Sequence, residues 1–145
     1  MLWLGLHFPE LPLEIFTAAL AVDEARPVVV TEQGRVLLRN PAALAAGIAR
    51  GCTLATAHSI APGLRHFRRC PERERERLIL VAEALYAFSA RISLGPGDDR
   101  MPPSGIALEI GASLRLFGAA DELVRRITGL CCELGHEVRA RLART

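Results

Sequence analysis

The sequence predicts an α+β sandwich, with helices on one face of a largely antiparallel sheet. Along 145 residues, segments of strand and helical character follow one another as strand, helix, hairpin, small helices, strand, helix, strand, strand, helix, strand. That length suits one domain of ordinary size. Half of the residues are apolar and 23% are charged, which supplies a core and leaves too little net charge to hold the chain open.

Residues 1–8 are continuously apolar and stop at Pro9, the pattern of a strand buried on both faces. Pro12 opens a stretch in which Leu13, Phe16 and Leu20 fall near helical spacing, and this helix is expected to end at Arg26, before Pro27. Residues 28–31 and 36–38 are β-branched or leucine-rich around Glu-Gln-Gly, which reads as a hairpin. Two short helices are expected over 41–48 and 54–60, the first with Asn40 as cap and Pro41 as its first residue, with Gly47 and Gly51 as stops.

LRHFRRC is a short basic strand, and Pro71 begins a long helix whose first turns alternate Glu and Arg. That charge run reads as a solvated face, while Leu78, Val81, Ala82, Leu85 and Phe88 trace an apolar one. ARISLG and IALEIGA are strands on either side of a Gly/Pro-rich loop, with Ala107 and Glu109 alternating against Ile106, Leu108 and Ile110. A helix over about 119–134 carries Leu123, Ile127 and Leu130 on one side, and HEVRARLA closes the chain as a strand. Trp3, Phe8 and Phe16 read as core aromatics.

Composition excludes several classes of site. All 18 basic residues are arginine, so neither a Schiff-base nor a P-loop lysine can operate. A net charge of +2 does not argue for nucleic-acid binding by itself. Cys52, Cys70, Cys131 and Cys132 have no C-x-x-C spacing, and His7, His58, His66 and His136 form no ligand array, so no metal or other cofactor is expected and the thiols read as reduced, in a cytoplasmic protein. Of the vicinal pair Cys131 and Cys132, one thiol is expected in the core and one outside. The apolar N-terminus lacks a basic flank and is interrupted by Pro9, Glu10, Pro12 and Glu14, so neither a signal peptide nor a membrane span is expected. Glu10 and Glu14 read as surface carboxylates.

The segments MLWLGLHFPELPLEIF, GRVLLRNPAALAAGIARGCTLATA and IALEIGASLRLFG resemble, in that order, the Y-family translesion DNA polymerases, and among them the ImuB branch. The resemblance implies a ferredoxin-like palm with a small helical fingers insertion: palm over 1–30, fingers over 31–70, palm again over 71–145, with the chain ending before a thumb and a little finger. In the superfamily two divalent ions sit between an Asp on the first strand and an Asp-Glu pair before a later one, and carry out nucleotidyl transfer. Here Gly5 falls at the first Asp, and His7 where a second Asp contributes through its backbone. Anchoring the later motif on IALEIG puts Ser104 and Gly105 at the Asp-Glu positions; anchoring it at Ser89 puts Asp98 and Asp99 there. The first register is preferred because the apolar strand is the stronger anchor, and Asp98 and Asp99 stand as the alternative metal ligands. Glu109 matches a family Asp of structural position and reads as a solvent-facing strand residue.

The triphosphate-binding Tyr and Arg of the fingers fall at Pro41 and Leu44, neither of which holds a phosphate. The resemblance therefore implies a chain that is not an enzyme: a scaffold subunit of an SOS-induced, error-prone translesion complex. Its implied partners are a RecA-like accessory protein, an error-prone replicative-type polymerase and a sliding clamp, whose binding motif lies downstream in that family. Arg65, Arg68 and Arg69, with His66, form the densest basic cluster. It reads either as a contact for DNA phosphates or as a basic edge strand that resists aggregation.

Overall fold

The computed structural model describes residues 1–18, 25–95 and 103–145. In chain order its elements are β1 (Leu2–His7), α1 (Leu11–Thr17), β2 (Val28–Glu32), β3 (Arg35–Arg39), α2 (Pro41–Ala45), α3 (Leu54–Ile60), β4 (Arg65–Arg68), α4 (Pro71–Leu85), β5 (Ile92–Leu94), β6 (Gly105–Glu109), α5 (Leu114–Phe117), α6 (Ala120–Glu133) and β7 (Arg139–Arg144). They form two compact units: unit 1 comprises Met1–Leu11 and Pro71–Thr145, and unit 2 comprises Pro12–Cys70. The first division falls inside α1, and β2 is a member of the unit 2 sheet. Among the described residues no helix is long and apolar enough to cross a membrane.

Unit 1 holds a four-stranded sheet in the order β5-β6-β1-β7, antiparallel throughout. Taken with α4 and α6, the succession strand–helix–strand–strand–helix–strand with the first strand inside the sheet is ferredoxin-like. β1 alternates: Leu4 and Leu6 are buried, and Gly5 and His7 are exposed. This corrects the expectation of burial on both faces. An apolar run does not require two covered faces when one of its outward positions is a glycine. Leu4 pairs with Leu108 and Leu6 with Ile106, both buried.

The face carrying these leucines is the one the helices cover. Ile92 and Leu94 line one depression with Ile79 and Ala82 of α4 and with Tyr86 just beyond it, and Leu4, Ala140 and Leu142 line another with Asp121 and Val124 of α6. Leu78, Val81 and Leu85 of α4 and Leu123, Ile127 and Cys131 of α6 are buried. The Glu/Arg run opening α4 is not wholly solvated, because Glu74 is 2% exposed. The helix also ends at Leu85, so Phe88 lies beyond it, in tilted ring contact with Phe117.

The final strand starts later than HEVRARLA suggests. The His136 N–H donates to the Cys131 carbonyl and that of Gly135 to Cys132, both at 3.0 Å, and Gly135 has φ +92°. This closes α6 with a Schellman motif. His136 is thereby spent on the cap and buried, and pairing begins at Arg139.

Unit 2 corrects the expectation of one largely antiparallel sheet. It contains a second, three-stranded sheet in the order β3-β2-β4, in which β2 and β4 are parallel. A parallel neighbour needs a crossover, and α2 with α3 supplies it. The β2–β3 hairpin turns at Gln33 and Gly34, both with positive φ (52° and 74°), the geometry of a type I′ turn. Val29, Val36, Ala43, Ile48, Ala57, Ala61 and Leu64 form the core of this unit, and Phe16 stacks on Phe67 with ring centroids 4.7 Å apart.

Candidate functional site

The uncovered face of the four-stranded sheet presents the odd-numbered residues of β1. In an antiparallel sheet, directly opposed residues share a face, so the register fixes what surrounds them. Gly5 lies between Ala107 and Arg141, His7 between Gly105 and Arg139, and Trp3 between Glu109 and Ala143. Gly5, His7, Arg139, Arg141 and Ala143 are exposed, and Trp3 is half-buried rather than a core residue. Phe8 and Phe16 are core, at 1% and 9% exposed.

The positions expected for metal carboxylates differ in what they could accept. A Cβ at Gly5 would meet only the Arg141 carbonyl oxygen, at 3.7 Å, an ordinary contact, so the strand has room for a side chain there. A Cβ at Gly105 would lie 2.7 Å from the Leu6 carbonyl oxygen, closer than packing allows. Ser104 contributes its carbonyl to the Phe8 N–H at 3.0 Å, extending the β1–β6 pairing by one bond. Asp98 and Asp99 lie outside the described residues.

Glu109 is not a solvent-facing residue. It is 8% exposed, and its Oε1 accepts the Gly111 N–H at 2.8 Å, which fixes the chain where β6 ends. Among the described residues no group of three or more His, Cys, Asp or Glu side chains converges to hold a metal ion. Arg139 and Arg141 offer guanidinium groups that donate hydrogen bonds and have no acceptor, and they stand beside Gly5 and His7, where a Mg²⁺ site needs oxygen ligands. Among the described residues, the donor set on this face does not fit a divalent cation.

In unit 2, Pro41 is the first residue of α2 and Leu44 is 56% exposed on it. Asn40 holds this corner: its Oδ1 accepts the N–H of Ala43 and of Val28, each at 2.9 Å, and its Nδ2 donates to the Arg26 carbonyl at 2.9 Å. The basic cluster is divided by the alternation of β4. Arg65 lies over the Phe67 ring, 5.8 Å from its centroid. His66 and Arg68 line a depression of about 390 Å³ with Thr31, Gln33, Leu54 and Arg69. Arg69 also forms an ion pair with Glu32 at 2.7 Å, and the His66 ring meets His58 edge-on at 5.7 Å.

Arg139, Arg141 and Trp3 were not legible as site residues, although the sequence carried a signal. The alternation Trp3, Gly5, His7 on one strand and Arg139, Arg141 on another has the period of two that puts each set on one face.

No protein-family model and no curated protein matches the chain. Solved structures do. The whole chain superposes on a Y-family DNA polymerase chimera of Dbh and Dpo4 with a TM-score of 0.72 at 17% identity, covering 43% of that chain. It superposes on DinB from Sulfolobus solfataricus with a TM-score of 0.69 at 14% identity, covering 42%. An insertion ternary complex of Dbh DNA polymerase gives 0.71 at 16% identity over 99% of this chain and 42% of that one. The chain has the α+β fold of these polymerase structures over less than half of their length.

Proposed function

We propose that this chain is a non-catalytic, polymerase-like palm-and-fingers module that serves as a scaffold in error-prone translesion DNA synthesis, in the manner of the ImuB branch. Its work is contact with other macromolecules in an SOS-induced complex, with a RecA-like accessory protein, an error-prone replicative-type polymerase and a sliding clamp as the partners.

The observation that carries this reading is the composition of the open sheet face. A polymerase palm neutralises triphosphate with two cations held by carboxylates. Here the central strand offers Gly5 and His7, the neighbouring strand offers Gly105 with no space for a Cβ, and the other neighbour offers Arg139 and Arg141. Pro41 and Leu44 in unit 2 support the same conclusion, since neither side chain bonds a phosphate.

Calorimetric titration of the chain with Mn²⁺ and a nucleoside triphosphate, beside an Asp98→Asn/Asp99→Asn double variant, tests the proposal. The expected result is no saturable binding by either protein. Saturable binding by the parent that disappears in the double variant would mean that Asp98 and Asp99 hold the metal and that the module is a polymerase fragment.

A further inference from the structure

The three-stranded sheet of unit 2 has one edge closed by its own chain and one left open. We propose that the open edge, β4, takes an extended acidic segment of another protein as a fourth strand. The inference deepens and rests on the scaffold reading above, giving one of its contacts a chemistry, and every observation behind it lies in unit 2.

The closed edge shows what satisfying a strand requires. Beyond β3, the Gly51 N–H donates to the Val36 carbonyl at 2.7 Å and the Val36 N–H to the Cys52 carbonyl at 2.9 Å, and Arg35 and Thr53 form an antiparallel bridge. β4 is the other edge. Its Arg65 N–H donates to the Pro27 carbonyl at 3.0 Å, and the Arg69 N–H just after it to the Thr31 carbonyl at 2.8 Å, so the backbone groups of the odd-numbered residues are turned toward β2. Successive residues of a strand direct these groups to opposite sides. Those of His66 and Arg68 therefore face away from the sheet, with no backbone partner among the described residues. Such a row of open donors and acceptors is the template that an added strand pairs with.

The side chains select what pairs there. Arg65, His66 and Arg68 are exposed, and among the described residues neither arginine has an acidic partner. His66 stands opposite Val29 and Arg68 opposite Thr31, on the side of α3, where His66 meets His58 and Arg68 lines the depression with Thr31, Gln33 and Leu54. Arg65 lies on the other side with Phe67. Carboxylates at every second position of an incoming strand would stand across from the ring N–H of His66 and the charge of Arg68. Opposite charges paired across strands stabilise a sheet, and like charges destabilise it. The same side chains reject a second copy of β4, which would set arginines against one another. A phosphate chain would satisfy the arginines and offer no donor to the outward carbonyls.

The test uses the whole chain and a labelled twelve-residue peptide that alternates glutamate and valine. A peptide alternating glutamate and proline is its equal in charge and lacks every second N–H. Anisotropy should show saturable binding of the first peptide and not of the second. His66→Glu/Arg68→Glu sets like charges across the pair and should weaken binding about tenfold or more. His66→Pro removes an outward N–H and no bond to β2, and should abolish binding, while His66→Ala should retain most of it. In the parent chain, with peptide at about a hundred times its Kd, amide hydrogen exchange at His66 and Arg68 should slow by about two orders of magnitude. Arg65 and Arg69, whose amides are already bonded, should change little. That measurement requires no variant to fold.

Equal binding of the glutamate-proline peptide, or slowing at His66 and Arg68 no greater than at Arg65 and Arg69, would mean that charge alone attracts the peptide and would overturn the proposal. So would an oligothymidylate that binds as tightly and slows the same two amides. Binding of neither peptide would leave the arginines as a guard against aggregation and would overturn it too. None of these outcomes alters the Mn²⁺ titration, so the non-catalytic reading stands or falls separately.

Discussion

The first strands of the two sheets are both apolar, and they are used in opposite ways. β2 buries four consecutive residues, Val28 to Thr31, so both of its faces are closed. β1 buries Leu4 and Leu6 and leaves Gly5 and His7 in the open. A strand closed on two sides can only hold a unit together, whereas one closed on a single side can also present groups to a ligand. The unit 1 sheet therefore has a face available for function, and its residues show which functions the chemistry permits.

The largest effects should come from the closed strand. Aspartate at Val29 or at Val30 would bury an unpaired carboxylate on one face or the other, at a cost of about 3–5 kcal/mol in each case. Urea denaturation of the two single variants checks this. If only one of these neighbours is sensitive, β2 is half-open like β1 and the contrast fails. In β1 the cost should alternate. Leu4→Ala is expected to lose about 2–5 kcal/mol, while Gly5→Ala, with room for the methyl group, should gain about 0.5–1 kcal/mol.

A pH experiment probes the covered side of unit 1. Burial raises the Cys131 thiol from its ordinary 9.0 to about 11, the neighbouring Cys132 adds to the rise, and a backbone hydrogen bond opposes it. Since the folded state holds this proton more tightly than the unfolded chain, the associated stability is complete below pH 9. It is lost as pH rises through about 11, to the extent of roughly 2–3 kcal/mol. A Cys131→Ala variant should have a flatter stability profile over that window. Thiol labelling at neutral pH should modify Cys132, which is exposed, well before Cys131.

The smallest expected loss concerns the corner of unit 2 where sequence and structure agree best. Asn40→Ala removes a helix cap and a clamp on the start of β2 together, and should cost about 1–2 kcal/mol by the same denaturation measurement.

Local chemistry explains why this corner was legible. Asn40-Pro41 is a helix start, and the residues that decide it are neighbours in the chain. Several elements of unit 1 were legible for a related reason, since alternation in β6 and helical spacing in α4 and α6 are periodic signals, while their ferredoxin-like order was implied by the family resemblance. The burial of Glu74 and of Glu109 was not, because both depend on residues distant in sequence. Nor was the parallel β2–β4 pair, which follows from how the crossover closes rather than from either strand. Within the candidate site, Gly5 could be singled out through the family resemblance. The arginines opposite it could not, because β1 and β7 are paired across almost the full length of the chain.

The most direct test of the central claim is paramagnetic broadening of backbone amides by Mn²⁺, which reports where on the chain a cation binds. At equimolar Mn²⁺, the account predicts no selective loss of the Gly5, His7, Gly105 and Ala107 signals relative to the rest of the chain. Selective loss of those four would place a metal on the open face and contradict it.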